Sequence, residues 1–390
     1  MLLNYCVKGY KVFYDEVSFS MVADNYIKKN QSNLIKNVAG NVNLVKSSLI
    51  YGPNNTGKSC FLDSFKLFIN IIKNKKIMFN KYDKNLFYDE EMPMEFKVEF
   101  SINDIIYNYE LAFVSKGVTK ELFKKNNKII FDRFDNGKVA NFIRDNLGER
   151  LEELYLNFLY KDYEDDLNAI NKFADSFEFL DNRYKLNINN ILEENSFNGI
   201  NEIIKMLDLH IDSLIDNTKE VEDLKKIGKY DDDFLERLKI FTKYTFKGKS
   251  STLPFGLIDS KGTIQITNLI YYFFNAIKNN KILIIDEIES SLHTLITKSL
   301  IAYYNSHNNA SSQLIATSHD LLILDDNSLL RKDQIWFVHK DDESNYLYCL
   351  NDFKDNSPND PRGNVMIKYL KGLFGALPEP KWFSENEEKS

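Results

Sequence analysis

The chain has 390 residues, 43% of them hydrophobic and 14% aromatic, enough to bury a sizeable core and to argue against a disordered chain. That length allows two or three domains. A net charge of −7 with a pI near 5.5 argues against wholesale electrostatic capture of nucleic acid and leaves only a local basic groove open. Cys6, Cys60 and Cys349 lack metal or disulfide spacing, as expected in a reducing compartment. Lys8, Lys11, Asp15 and Glu16 interrupt the apolar core a signal peptide would need, and no apolar run is long enough to span a bilayer. A cytoplasmic protein without membrane contact is expected.

Tyr5–Lys8 and Phe13–Phe19 have strand composition, and Ser47–Tyr51 reads as a short buried strand. It runs into Gly52-Pro53-Asn54-Asn55-Thr56-Gly57-Lys58-Ser59, which fits G-x-x-x-x-G-K-S/T at every fixed position. Phe61, Leu62, Phe65 and Phe68 then recur at helical spacing and predict a helix over about 60–80. Strand, glycine loop and helix together let backbone N–H groups and the helix N-terminus surround phosphate oxygens. Residues Gly52 to Cys60 are therefore the expected ATP contacts. Lys58 would reach the β- and γ-phosphates, and the Ser59 hydroxyl would hold Mg²⁺.

Lys73, Lys75 and Lys76 close that helix, where they complement its dipole; a DNA contact is the lesser reading. Residues 94–114 read as a hairpin with its turn at Asn103-Asp104, and 118–131 continue as strand with Lys120, Lys124, Lys125 and Lys128. From about 131 to 243 the texture is helical, clearest over Ile200, Ile203, Ile204, Leu207, Ile211, Leu214 and Ile215, with Val221 and Leu224 beyond. This stretch is expected to be a helical insertion between an N-terminal part (1–130) and a C-terminal part (244–390). His210 within it is expected to be structural. Residues 240–258 read as a second hairpin. Asp259-Ser260-Lys261-Gly262-Thr263 then opens a helix running to about Lys278.

Ile282-Leu283-Ile284-Ile285 reads as a strand buried on both faces, with Asp286 and Glu287 at its C-terminal end, where open α/β sheets bind ligands. Asp286 is the expected Mg²⁺ ligand and Glu287 the expected general base for the attacking water. The next apolar strand, Gln313 to Thr317, ends at Ser318-His319-Asp320, and His319 could sense the γ-phosphate or the water. Ile335–Val338, Tyr346–Leu350 and a short helix at Val365–Leu370 complete the prediction.

The order of the phosphate loop, Ser260-x-Gly262-Thr263, Ile285-Asp286-Glu287 with Leu292-His293, and Thr317-x-His319-Asp320 resembles ABC-type ATPases close to SMC and RecF proteins. Three further stretches resemble the RloA/AbiLi-like and OLD-like ATPases of bacterial anti-phage systems. They are Val7 to Phe13, Arg331 to Val338 and Tyr369 to Pro378. The resemblance spans roughly residues 1–115 and 245–380 and implies an α/β fold, an ABC/SMC-like ATPase head. It also implies a homodimer with two nucleotides between heads. Ser260 and Gly262 would then contact the γ-phosphate on the other subunit, and His319 would be the switch histidine. Lys11 stands where the group has an arginine at the nucleotide, Leu373 replaces a tail arginine, and residues 94–114 hold no convincing coupling glutamine.

OLD-like proteins carry a nuclease domain after the ATPase. About 70 residues follow His319, too few for one, so no nuclease site is expected in this chain. The expectation is an ATP-hydrolysing dimeric switch that controls a separate effector protein, a nuclease or toxin. The alternative is a RecF/SMC-like ATPase that binds DNA during repair.

Overall fold

The computed structural model describes residues 1–134, 151–159, 163–180, 191–192, 194–207, 209, 211–255, 261–290, 292–306, 309–341, 343–353 and 365–377. His210 and Ser260 lie outside the described residues. The chain opens with β1 (Leu2–Lys8), β2 (Val17–Ser20), the small hairpin β3 (Leu34–Val38) and β4 (Val42–Val45), and then β5 (Ser47–Tyr51). The glycine loop leads into α1 (Lys58–Asn74), followed by β6 (Met94–Ile102), β7 (Ile105–Val114), β8 (Gly117–Lys125) and β9 (Lys128–Asp132). Next come α2 (Glu164–Asp175), β10 (Phe177–Phe179), α3 (Glu194–Met206), β11 (Ser213–Asp216), α4 (Thr218–Ile227) and α5 (Asp232–Arg237). The hairpin β12 (Ile240–Phe246) and β13 (Lys249–Pro254) precedes α6 (Lys261–Lys278), β14 (Ile282–Ile285) and α7 (Thr294–Tyr304). β15 (Gln313–Thr317), β16 (Ile335–Lys340), β17 (Asn345–Cys349) and α8 (Val365–Leu370) finish it.

Two six-stranded sheets dominate, and the fold is α/β. The first, β2-β1-β6-β7-β8-β9, is antiparallel throughout. Its turns use residues that tolerate left-handed backbone: Asn103-Asp104 at φ 50° and 61°, Asn126-Asn127 at φ 46° and 64°. The second, β10-β14-β15-β5-β16-β17, is parallel except for β17. Its strands are apolar on both faces. Ile50, Ile282, Ile284, Ile315 and Trp336 share one core with α1, α2 and the antiparallel sheet. Leu49, Leu283, Ile285, Leu314 and Ala316 share the other with α3, α6 and α7. Four layers result, with α1 between the sheets: Phe65 stacks on Tyr5 of β1 at 4.0 Å and leans on Phe177 of β10 at 5.8 Å. Among the described residues no helix is long and apolar enough to cross a membrane.

Two expectations change. The first helix stops at Asn74 rather than near 80, because Lys75 turns left-handed (φ 51°) and caps it through an N–H bond to the Ile72 carbonyl. The helical texture of 131–243 is interrupted by strands. Phe177–Phe179 joins the central sheet beside β14, and Leu214 and Ile215 lie in β11, paired with β12. The Asn201 side chain on α3 both donates to the Leu214 carbonyl (3.1 Å) and accepts from its N–H (2.7 Å), acting as a strand partner for β11. Helical spacing of Ile200 to Leu214 is therefore shared between one helix and one strand facing the same core.

A buried polar knot ties the beginning of β16 to that of β5. Arg331 is 1% exposed. Its guanidinium makes a bidentate pair with Asp333 (2.9 and 2.7 Å) and donates to the carbonyls of Asp24, Ile27 and Lys29. Gln334 donates to the Ser47 carbonyl (2.8 Å) and accepts from Asn33 (2.7 Å). Arg331→Met would strand a buried carboxylate, so a loss of about 3–5 kcal/mol is expected in urea unfolding. An unchanged midpoint would remove the anchor role.

Candidate nucleotide site

β5 is buried along its whole length and hydrogen-bonded on both edges, to β15 and β16. The loop after it therefore starts from a fixed point. Its glycines are required by space: a Cβ on Gly52 would lie 2.4 Å from the Val338 carbonyl oxygen of β16, and one on Gly57 2.6 Å from Val12. Asn55 takes the left-handed backbone (φ 63°) that asparagine tolerates. Thr56 folds its hydroxyl onto the Pro53 carbonyl at 2.9 Å. Pro53 is half-buried, while Asn54 and Asn55 are exposed at the loop tip.

Lys58, the first residue of α1, is 6% exposed and donates to the carbonyls of Gly52 and Pro53, both at 2.8 Å. Burial lowers its pKa, and the carboxylates of Asp286, Glu287 and Glu289 oppose that shift. All three follow β14, which β15 separates from β5. Ser59 is exposed in the first turn of α1, and Cys60 behind it is half-buried, its thiol pushed up by burial. Lys11 sits on the other side of this turn with left-handed backbone (φ 46°), and its ammonium pairs with Asp63 at 2.8 Å.

Asp286 and Glu287 follow β14 and are both exposed. Thr317, at the end of β15, donates its hydroxyl to Asp286 Oδ1 (2.5 Å) and accepts from the Glu287 N–H (2.7 Å). Glu287 carries a positive φ of 51°. His319 places Nε2 at 4.0 Å from Glu287 Oε1, beyond hydrogen-bond reach, and its N–H donates to Glu289 Oε1 at 2.6 Å. Asp320 accepts from Thr294 of α7 (2.6 Å) and caps the turn after it. Gly262 lies in the first turn of α6, which packs on α3, α7 and β14. The structure thus brings Lys58, Asp286, Glu287 and His319 to one edge of the central sheet. Among the described residues no three His, Cys, Asp or Glu side chains cluster as a metal cage. One hydroxyl and one carboxylate, Ser59 and Asp286, are still the donor set that suits Mg²⁺, which takes its remaining ligands from phosphate and water.

Two residues here, Glu289 and Asn345, carry no signal in the sequence; Thr317 is visible there only as the first position of the Thr317-x-His319-Asp320 stretch, with no role attached. Asn345, at the start of β17, is buried and donates to the Thr56 carbonyl at 2.7 Å. The neighbouring Ser344 donates to Asp15 at 3.0 Å, so the β16–β17 turn grips both the loop and the segment that covers it. A polar residue in a tight turn would be the only clue, and turns favour such residues anyway.

Residues 47–325, over half of the chain, match the family described as "AAA domain, putative AbiEii toxin, Type IV TA system". The chain belongs to this family. No curated protein matches it. Among solved structures, the SMC head domain from Thermotoga maritima is similar at 14% identity and a TM-score of 0.48, covering 89% of this chain and 98% of that one. An SMC head bound to the C-terminal winged-helix domain of ScpA gives 14% and 0.46, covering 89% and 97%. An SMC head with an extended coiled coil, bound to the C-terminal domain of ScpA derived from Pyrococcus furiosus, gives 13% and 0.41, covering 89% and 96%.

Asn345→Ala would leave the Thr56 carbonyl buried without its donor, a loss of about 1–3 kcal/mol at the loop. MgATP binding should weaken roughly tenfold, read by calorimetric titration. An unchanged dissociation constant would mean that this bond does not hold the loop.

Proposed function

We propose that this family member binds and hydrolyses ATP, and that it works as a dimeric switch controlling a separate effector protein in anti-phage defence. The observation that carries the ATPase reading is Lys58, buried at the head of α1 and bonded to the loop carbonyls, with Asp286 and Glu287 following β14, two strands from β5 in the same parallel sheet. A buried ammonium beside phosphate-loop carbonyls is ready to exchange those acceptors for β- and γ-phosphate oxygens. The loop N–H groups and the α1 N-terminus add positive potential without further movement.

Ser59 and Asp286 would hold Mg²⁺, which supplies charge neutralisation at the phosphates when bound. Glu287 orients the attacking water and takes its proton. His319, near Glu287, meets the γ-phosphate or that water and registers which nucleotide is present. Ser260 and Gly262 serve the nucleotide of the partner copy, and Lys11 borders the site through α1. Two heads closed on ATP and reopened by hydrolysis make a switch. The family description, with its toxin and toxin–antitoxin system, supports a setting in which such a switch acts through a second protein. The finer kinship with RloA/AbiLi-like and OLD-like ATPases rests on the Arg331–Val338 and Tyr369–Pro378 stretches.

Five of the seven lysines that favoured a DNA-binding repair ATPase are engaged in ion pairs. Lys73 pairs with Asp175, Lys76 with Glu152, Lys120 and Lys124 with Glu110, and Lys125 with Asp166. No specific observation supports that second reading.

Lys58→Ala is expected to abolish nucleotide binding. Glu287→Gln should bind MgATP, lose roughly 10²–10⁴-fold in kcat, and double in native mass with ATP. Protein tagged in its own host should carry an additional chain in that trapped state. Equal turnover by wild type and Glu287→Gln would refute the base, and a nucleotide-insensitive monomer with nothing attached would refute the switch.

A further inference from the structure

We propose that Thr317 is a positioning residue for ATP hydrolysis, its single hydroxyl setting both the Asp286 carboxylate and the backbone of Glu287. The inference rests on the roles given above to those two acids. Thr317 is fully buried at the end of the strand that separates the phosphate-loop strand from β14. A hydroxyl has one donor and two acceptor sites. Here the donor goes to Asp286 Oδ1 at 2.5 Å and one acceptor site takes the Glu287 N–H at 2.7 Å. The carbonyl of the same residue accepts from the Ile288 N–H at 3.0 Å. Three consecutive residues after β14 therefore hang on one threonine.

The second bond matters because of the Glu287 backbone. A φ of 51° is unfavourable for a residue with a Cβ and persists only where its surroundings impose it. The Thr317 hydroxyl is such an imposition, applied at the N–H whose direction changes when φ relaxes. In the held conformation the Glu287 carboxylate is directed to His319, 4.0 Å away. Released, the backbone could return to negative φ and swing the carboxylate off the position from which it meets the water. A buried threonine at a strand end commonly satisfies its hydroxyl on its own backbone. Thr317 instead spends both bonds on the site. Glu289 adds to the arrangement from the far side by accepting from the His319 N–H, so residues 286–289 and 317–319 are laced at both ends.

The test compares Thr317→Val and Thr317→Ser in the full chain, with Glu287→Gln as reference. Valine keeps the β-branched shape and loses both bonds; serine keeps the hydroxyl. Thr317→Val should lower kcat about ten- to a hundredfold, with MgATP affinity within about threefold of wild type. Its melting temperature should stay near that of wild type, and Thr317→Ser should recover most of the lost turnover. A Thr317→Val kcat within about twofold of wild type would overturn the proposal. So would a loss of affinity matching the loss of turnover, or a serine variant as impaired as valine. Wild type that fails to outpace Glu287→Gln would instead bring down the assignment of the base, and this inference with it.

Discussion

Pairing of β5 on both edges and burial of both its faces is the constraint from which the rest of the molecule follows. A loop that wraps phosphate must present its N–H groups within a few tenths of an ångström, and it can do so only from an immobile strand end. Here β15 and β16 clamp the strand laterally, isoleucine and leucine side chains hold it above and below, and Gln334 fixes the carbonyl of its first residue. The Val338 carbonyl pressing on Gly52 is the same constraint seen from β16, because a strand held this tightly leaves no room for a Cβ. The Arg331-Lys332-Asp333-Gln334 stretch before Trp336 is thus explained without any contact to a ligand. It fills a buried polar gap between chain segments some 300 residues apart, and fully paired it can do so at little cost.

The polar groups of the candidate site are braced from the strand next door. Asp286 and Glu287 leave β14 already exposed. Orientation comes laterally, from Thr317 and Glu289, and continues through Asp320 and Thr294 into α7. Such a chain of short bonds transmits displacement better than apolar contact does, since each bond has a direction as well as a distance.

What the sequence made legible is what depends on near neighbours. The phosphate loop is written in eight consecutive residues, and β14 in four apolar ones ending in two acids, so both fell where expected. The hairpins were legible because Asn103-Asp104 turns the chain locally. What stayed hidden depends on partners distant in sequence. Phe177–Phe179 is too short to read as strand inside a helical stretch and becomes one only by meeting Ile282–Ile284. Leu214 keeps the spacing of the helix before it because both elements feed one core. Asn345 is an ordinary polar residue until the fold sets it against Thr56, and Thr317, legible as part of a motif, gains its bond to Asp286 only from the fold. Lys11 was legible as a neighbour of the loop, but its pairing with Asp63 was not.

The strand order also sets a timetable for biosynthesis. Apart from β1–β6, which joins residues 2–8 to 95–100, the antiparallel sheet is made of pairs of consecutive strands within residues 2–132, and short loops close quickly. β5 leaves the ribosome early too, yet its two neighbours are residues 313–317 and 335–340. For most of translation, at roughly 5–20 residues per second, the phosphate-loop strand must wait with both edges unpaired and both faces apolar. A nascent chain in that condition is a natural client for chaperones and exposes an edge that other chains can join. The same ordering means that the loop after β5 rests on an unclamped strand until both of those neighbours have been made.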